Sequence, residues 1–176
     1  MAHIAIIAGS PSQQTRLNGL LGFIERELES EGHTASRIQV RDLPPDDLIY
    51  ARFESERIAQ ANAEVERADG VIVATPVYKA AYTGVLKSYL DLLPQNALAG
   101  KVLLPVAIGG TLAHLLVNEY ALKPVLAALG ARHIVSGVYA VDTDVTAKEN
   151  GEYEVAEALQ ERLSRNVRQL TDALRH

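Results

Sequence analysis

Three hydroxyls within six residues, Ser10, Ser12 and Thr15, stand just ahead of a run of leucines at helical spacing. Hydroxyls there lie beside exposed backbone N–H groups and the positive end of a helix dipole, which together favour a phosphate. Ser and Thr serve equally as helix caps, but one cap accounts for one hydroxyl, and three shift the reading towards an anion. A second stretch, Thr75–Thr83, sets Pro76, Val77, Tyr78 and Tyr82 between a β-branched run and a helical one. That is a place where a flat ligand can lie, or where tyrosines merely pack. A third, Gly109-Gly110-Thr111, lets backbone approach a ring closely and leaves N–H groups to bond it, although Gly-Gly also serves a tight turn. His114 follows three residues later and is placed to cover a ligand edge or cap the site.

The elements that must position these loops follow from periodicity. His3–Ala8 reads as a first buried strand, and Leu17, Leu20, Leu21, Ile24 and Leu28 mark one face of a helix ending near Gly32. Ala35–Val40 forms a second strand, and Asp42–Asp47, with two prolines, reads as turn. Ser55 caps a helix carrying Ile58, Ala61, Val65 and Ala68. Val71–Ala74 is the third strand. Thr83 caps the next helix, with Val85, Leu86, Tyr89, Leu90 and Leu93 on one face and Pro94 ending it. Val102–Ile108 is a fourth strand. A helix over Leu112–Leu129 is expected to be interrupted at Lys123-Pro124. His133–Val141 is a fifth strand, Asp142–Tyr153 reads as loop, and a last helix spans Val155–Leu174. Strands alternating with helices predict an α/β fold of three layers, a parallel sheet covered on both faces. Five strands favour the flavodoxin-like order 2-1-3-4-5 over the six-stranded dinucleotide fold, and in that order the loops after strands 1, 3 and 4 converge on one ligand. With no repeats and no linker-like composition, residues 1–176 read as one domain.

Composition narrows the chemistry. The 176 residues are 48% hydrophobic and 22% charged, as in a soluble globular protein, and the net charge of −5 argues against nucleic acid or an anionic membrane as partner. There is no cysteine, which removes disulfides, thiolate nucleophiles and Cys-held metals. His3, His33 and His133 lack metal-ligand spacing, so no metal site is expected. The chain enters its first strand with neither a basic leader nor a membrane-length apolar run, and a cytoplasmic protein is the expectation. The first loop lacks both G-x-G-x-x-G and G-K-[ST], and no G-x-S-x-G occurs. The strand-end acids of a receiver domain are missing too. A flat ligand with one phosphate remains, and FMN fits it.

Several motifs carry a resemblance. These are Ala8-Gly9-Ser10-Pro11, Leu48-Ile49-Tyr50-Ala51-Arg52-Phe53, Ala68–Tyr82, Gly109–Leu116, and Tyr120-Ala121-Leu122-Lys123-Pro124-Val125-Leu126. Through them nearly the whole chain resembles the NAD(P)H-dependent FMN reductases of the flavodoxin-like superfamily, and specifically the branch serving alkanesulfonate utilisation. The resemblance implies a phosphate loop at Ser10, Thr15, Arg16 and Leu17, and ring contacts at Pro76, Val77, Tyr78, Gly109, Gly110 and Thr111. It implies FMN and NADPH as substrates, a homo-oligomer (dimer or tetramer), and reduced flavin handed to a partner flavin-dependent monooxygenase. It also implies that Tyr120 is inserted into a helix as a π-bulge at a tetramer interface, linked to flavin release. Superfamily members commonly carry Arg where this chain has Ser12, so either one phosphate partner is missing or Arg16 supplies the charge instead, and both imply weaker flavin retention. Arg16 and Lys79 are candidates for a 2′-phosphate of the nicotinamide nucleotide. The rival readings are a quinone or azo reductase that keeps its FMN, and a flavodoxin-like electron carrier.

Overall fold

The computed structural model describes residues 1–175. Its apolar runs form β1 (His3–Ala8), β2 (Thr34–Gln39), β3 (Gly70–Pro76), β4 (Val102–Gly109), β5 (His133–Ile134) and β6 (Val138–Val141). They lie parallel in the order β2-β1-β3-β4-β5, with β6 continuing the far edge beside β4. The order is the one expected. β1, β3 and β4 are buried along almost their whole lengths because helices cover both faces.

Alternation along the strands divides the core in two. Ile4, Ile6, Ile72, Ala74, Leu104 and Val106 face α1 (Leu17–Ser30) and α6 (Glu157–Ala173), whose Leu20, Leu21, Ile24, Leu163 and Val167 close that layer. Ala5, Ile7, Val71, Val73 and Leu103 face the other way. There they meet α3 (Glu56–Arg67), α4 (Gly84–Leu90) and α5 (Lys123–Ala128) through Ile58, Val65, Leu86, Leu90 and Leu126. α1 ends at Gly32, whose φ of 78° suits a residue without a Cβ. α3 begins at Ser55, whose Oγ accepts the Ile58 N–H at 3.4 Å. No helix among the described residues is long and apolar enough to cross a membrane.

Six expectations are corrected. The stretch read as turn contains a short helix, α2 (Pro45–Ile49), which Pro45 opens and Asp46 and Asp47 favour at its N-terminus. α4 stops at Leu90, short of Pro94, although Leu92 and Leu93 remain buried in irregular backbone. The helix expected over Leu112–Leu129 is three pieces: a 3₁₀ turn at Leu112–His114, a π-helical turn at Asn118–Leu122, and α5. Pro124 falls in the first turn of α5, where its missing N–H has no bond to lose, so the irregularity lies before it.

The expected fifth strand is split. Leu103 is registered with Ile134 but Val106 with Val138, so one extra residue is accommodated between Val135 and Gly137. Pro105 lies opposite the gap and has no N–H to offer a ladder, which is where a bulge is expected. The Asn118 side chain fills the opening and donates from Nδ2 to Val138 O at 3.0 Å. A Cβ on Gly137 would come within 2.7 Å of that nitrogen. Finally, the segment read as loop holds an antiparallel hairpin of β7 (Val145–Ala147) and β8 (Tyr153–Val155), after a 3₁₀ turn at Asp142–Asp144, and α6 starts only at Glu157.

The hairpin is seated on α1 where Gly19 leaves room: an added Cβ would lie 2.7 Å from Tyr153 Cβ and 2.8 Å from Val145 Cγ1. Gly19→Ala is therefore expected to destabilise the protein by about 1–3 kcal/mol through overpacking, although alanine is the better helix former. Urea unfolding of the variant against wild type measures this.

Candidate active site

The carboxyl ends of β1, β3 and β4 open into one region, and buried threonines hold its loops together. Gly9 N–H donates to Ala74 O at 2.8 Å, continuing the β1–β3 ladder into the first loop. Thr83, buried at the head of α4, donates its hydroxyl to Gly9 O at 2.5 Å and accepts the Leu86 N–H at 3.0 Å. Thr75, also buried, accepts the Thr83 N–H at 3.2 Å and donates to Pro76 O at 2.8 Å. Gly9 must be glycine because a Cβ there would lie 2.6 Å from Leu86 Cβ.

Around this frame lies a cavity of about 340 Å³, lined by Ser10, Ser12, Gln14, Thr15, Arg16, Pro76, Tyr78, Ile108, Asp142, Ala147 and Tyr153. That volume is at the small end of the range for ligand sites. A larger groove, about 740 Å³, runs along the α1–α6 face and touches none of the three loops.

The first loop has the character of an anion site. Ser10 Oγ accepts the Ser12 N–H at 3.2 Å and Thr15 Oγ1 accepts the Leu17 N–H at 3.3 Å. The backbone N–H groups of Gln13, Gln14, Thr15 and Arg16 find no partner among the described residues. Successive unpaired N–H groups before a fourteen-residue helix are what a phosphate requires. Arg16 lines the cavity, but its Nε donates to Val145 O at 2.9 Å, so this cation also ties the loop to the β7–β8 hairpin. Leu17, expected at the phosphate, turns its side chain into the core and has only backbone near the loop.

The second loop commits the donors nearest the cavity. Val77 N–H goes to Ile108 O at 2.8 Å, and Tyr78 and Ala81 exchange N–H···O bonds at 2.9 and 3.2 Å around a two-residue turn. Lys79 and Ala80 hold that turn at φ 50° and 65°, left-handed values that cost L residues roughly 1 kcal/mol each. Pro76 and Tyr78 therefore meet a ligand through side chains and carbonyls.

In the third loop the N–H groups of Gly110 and Thr111 have no partner among the described residues. Gly109 is crossed by the Tyr139 hydroxyl, which a Cβ would strike, and that hydroxyl donates to Thr111 O at 2.6 Å. Burial first, and the nearby Asp142 carboxylate second, hold the Tyr139 phenol above its usual range, so it stays a protonated donor. Gly109, Gly110, Thr111 and Val77 flank the cavity without lining it. His114 sits half-buried in the following 3₁₀ turn, also outside the lining.

Comparisons with known proteins give the family. The family model described as NADPH-dependent FMN reductase matches residues 2–146. The chain belongs to that family. It is similar to the FMN reductase (NADPH) of Escherichia coli (strain K12), at 49% identity over 142 residues, covering 81% of this chain and 74% of the relative. It is also similar to the FMN reductase (NADPH) of Pseudomonas putida (strain KT2440), at 45% identity over 161 residues, covering 91% of this chain and 82% of the relative. Among solved structures, the apo form of NADH:FMN oxidoreductase (EMOB) superimposes with a TM-score of 0.87 at 34% identity, covering 98% of this chain and 90% of that one. As a member of this family the chain is an oxidoreductase that takes FMN as its flavin and NADPH as its reductant.

Gln14, Ile108, Asp142, Ala147 and Tyr153 line the cavity without having been singled out in the sequence. Gln14 and Ile108 adjoin residues that were. The other three arrive on the hairpin and on the turn before it, whose short polar strands gave no periodic signal.

Thr83→Val should leave Gly9 O without its donor and α4 without its cap, costing about 2–3 kcal/mol in unfolding free energy. Thr83→Ser should retain most of it. Urea unfolding midpoints at constant slope check both.

Proposed function

We propose that this FMN reductase releases its reduced flavin to a separate flavin-dependent monooxygenase acting on alkanesulfonates, using FMN as a substrate in transit. The observation that carries the flavin site is an unpaired N–H nest and an apolar wall meeting at one cavity of modest size, with a glycine loop at its flank. In this reading the FMN phosphate lies on the N–H groups of Gln13–Arg16, with the hydroxyls of Ser10, Ser12 and Thr15 and the guanidinium of Arg16. The ring lies against Pro76 and Tyr78, within reach of the N–H groups of Gly110 and Thr111. When bound, FMN supplies the hydride-accepting ring. The chain's own residues orient that ring, keep one side open for nicotinamide, and offer donors where charge develops. Tyr78, 49% exposed, and the strained Lys79-Ala80 turn mark that open side.

Tyr120 lies in the π-helical turn, where the resemblance to the sulfonate-linked branch puts a residue tied to flavin release. It is 78% exposed, and Leu112, Leu115 and Leu116 within the preceding eight residues are exposed as well. We assign these residues to a homo-oligomer interface, because exposed apolar side chains of that size close together are usually covered. Tyr120→Arg is expected to lower the oligomeric mass seen in sedimentation velocity.

The central test strips the protein of flavin and follows NADPH consumption. Oxidation is expected only with added FMN, and the reduced flavin should be recovered in a filtrate under anaerobic conditions. Flavin-independent turnover, or flavin that stays with the protein, would instead favour a quinone or azo reductase. Arg16→Gln should weaken FMN binding on the order of tenfold while leaving riboflavin, which lacks the phosphate, unaffected. Isothermal titration with the two ligands separates them.

A further inference from the structure

The chain re-enters the cavity at Asp142, immediately after β6. Val141 is registered opposite Gly109, so the next residue stands beside Gly110, and Asp142 Oδ2 lies 3.9 Å from the position a Gly110 Cβ would occupy. The same residue lines the cavity together with Ser10, Arg16, Pro76, Tyr78 and Ile108. Two residues on, Asp144 has structural work: it accepts the Val141 N–H at 3.3 Å and faces Arg162 at 3.7 Å. The Asp142 carboxylate has no hydrogen-bond donor and no cation within 4.0 Å among the described residues. Arg16, the cation that shares the cavity, is held by Val145 O and makes no ion pair with it. A half-buried carboxylate is thus kept at a ligand cavity with no protein partner among the described residues, and its field reaches Tyr139 on β6.

A negative charge in that place has a direction. Hydride carries two electrons and one proton, so its arrival leaves the flavin ring with one more negative charge than before, until solvent supplies a proton. Oxidised flavin presents an uncharged ring to Asp142, and freshly reduced flavin presents a charged one. We propose that Asp142 makes the site charge-selective, admitting oxidised FMN and weakening the hold on reduced FMN so that it leaves. This rests on the flavin-site reading above and adds to it the group that biases release. The nest at the phosphate end holds both redox forms alike, because the phosphate does not change charge. Discrimination must therefore come from the ring end, where the lining offers this one carboxylate.

The test compares wild type, Asp142→Asn and Asp142→Glu by isothermal titration with oxidised FMN, and anaerobically with dithionite-reduced FMN. Asp142→Asn keeps shape and loses charge. It should bind reduced FMN on the order of tenfold more tightly, with the oxidised affinity nearly unchanged. The midpoint potential of flavin bound to it should rise correspondingly. Asp142→Glu should keep the wild-type ratio, and thermal melts should show both variants folded. If Asp142→Asn weakens both forms equally, the carboxylate is an ordinary ligand to the flavin and the proposal falls. If neither affinity moves, it falls also. If wild type itself fails to bind oxidised FMN, the flavin-site reading is wrong and this inference goes with it.

Discussion

A single buried hydroxyl holds the ligand-binding end of this molecule in shape. Thr83 Oγ1 sits between Gly9 O and Leu86 N–H, so one side chain caps a helix and ties the loop after β1 to the loop after β3. Both groups are buried, where an unpaired carbonyl or amide costs more than a hydrogen bond contributes in water. Thr75 extends the tie by receiving the Thr83 N–H. Parallel sheets put their useful loops at the carboxyl ends of strands but do not set the spacing between those loops. Here two threonines and the close contact at Gly9 set it.

From that constraint a division of labour follows. The loop after β1 keeps four successive backbone donors in reserve, whereas in the loop after β3 the donors of Val77, Tyr78 and Ala81 are used on β4 and on its own turn. The first therefore recognises charge and the second recognises shape. Between them the hairpin of β7 and β8, pinned by Arg16 to the first loop, supplies a wall that the parallel sheet alone does not provide.

What could be read beforehand follows the strength of periodicity. The runs His3–Ala8, Gly70–Pro76 and Val102–Gly109 are buried on both faces, and a buried parallel strand has a composition little else imitates. The caps Ser55 and Thr83 were legible because side-chain oxygen ahead of an apolar repeat has one dominant use. The strands Val145–Ala147 and Tyr153–Val155 were not, since three residues each with outward polar positions carry no pattern against a loop background. The π-helical turn was equally silent. One extra residue inside a short leucine-rich segment shifts the phase of the apolar positions less than the irregularity of the segment itself, and the eye goes to Pro124 instead. Of the candidate site residues, Ser10, Ser12, Thr15, Arg16, Pro76 and Tyr78 meet at the cavity, because strand order alone brings their loops together. Leu17 brings only its backbone to that end of the molecule: a leucine on the apolar stripe of α1 packs its side chain inward whatever its neighbours do.

The slipped register at the far edge of the sheet has its own consequence. Between Val135 and Gly137 the chain carries one residue more than β4 opposite it, and beyond that point Tyr139 faces Thr111 while Val138 and Ala140 join the α1–α6 core. Side chains alternate with a period of two, so removing that residue would exchange the two sets. A phenol would enter an oily layer and two small apolar groups would be left beside the glycine loop. Ser136, in the middle of Val135-Ser136-Gly137, lines neither of the cavities described, yet the length of that stretch is under tighter constraint than the identity of its central residue. Homologous chains should tolerate substitution at Ser136 far more readily than any change in the count of residues there.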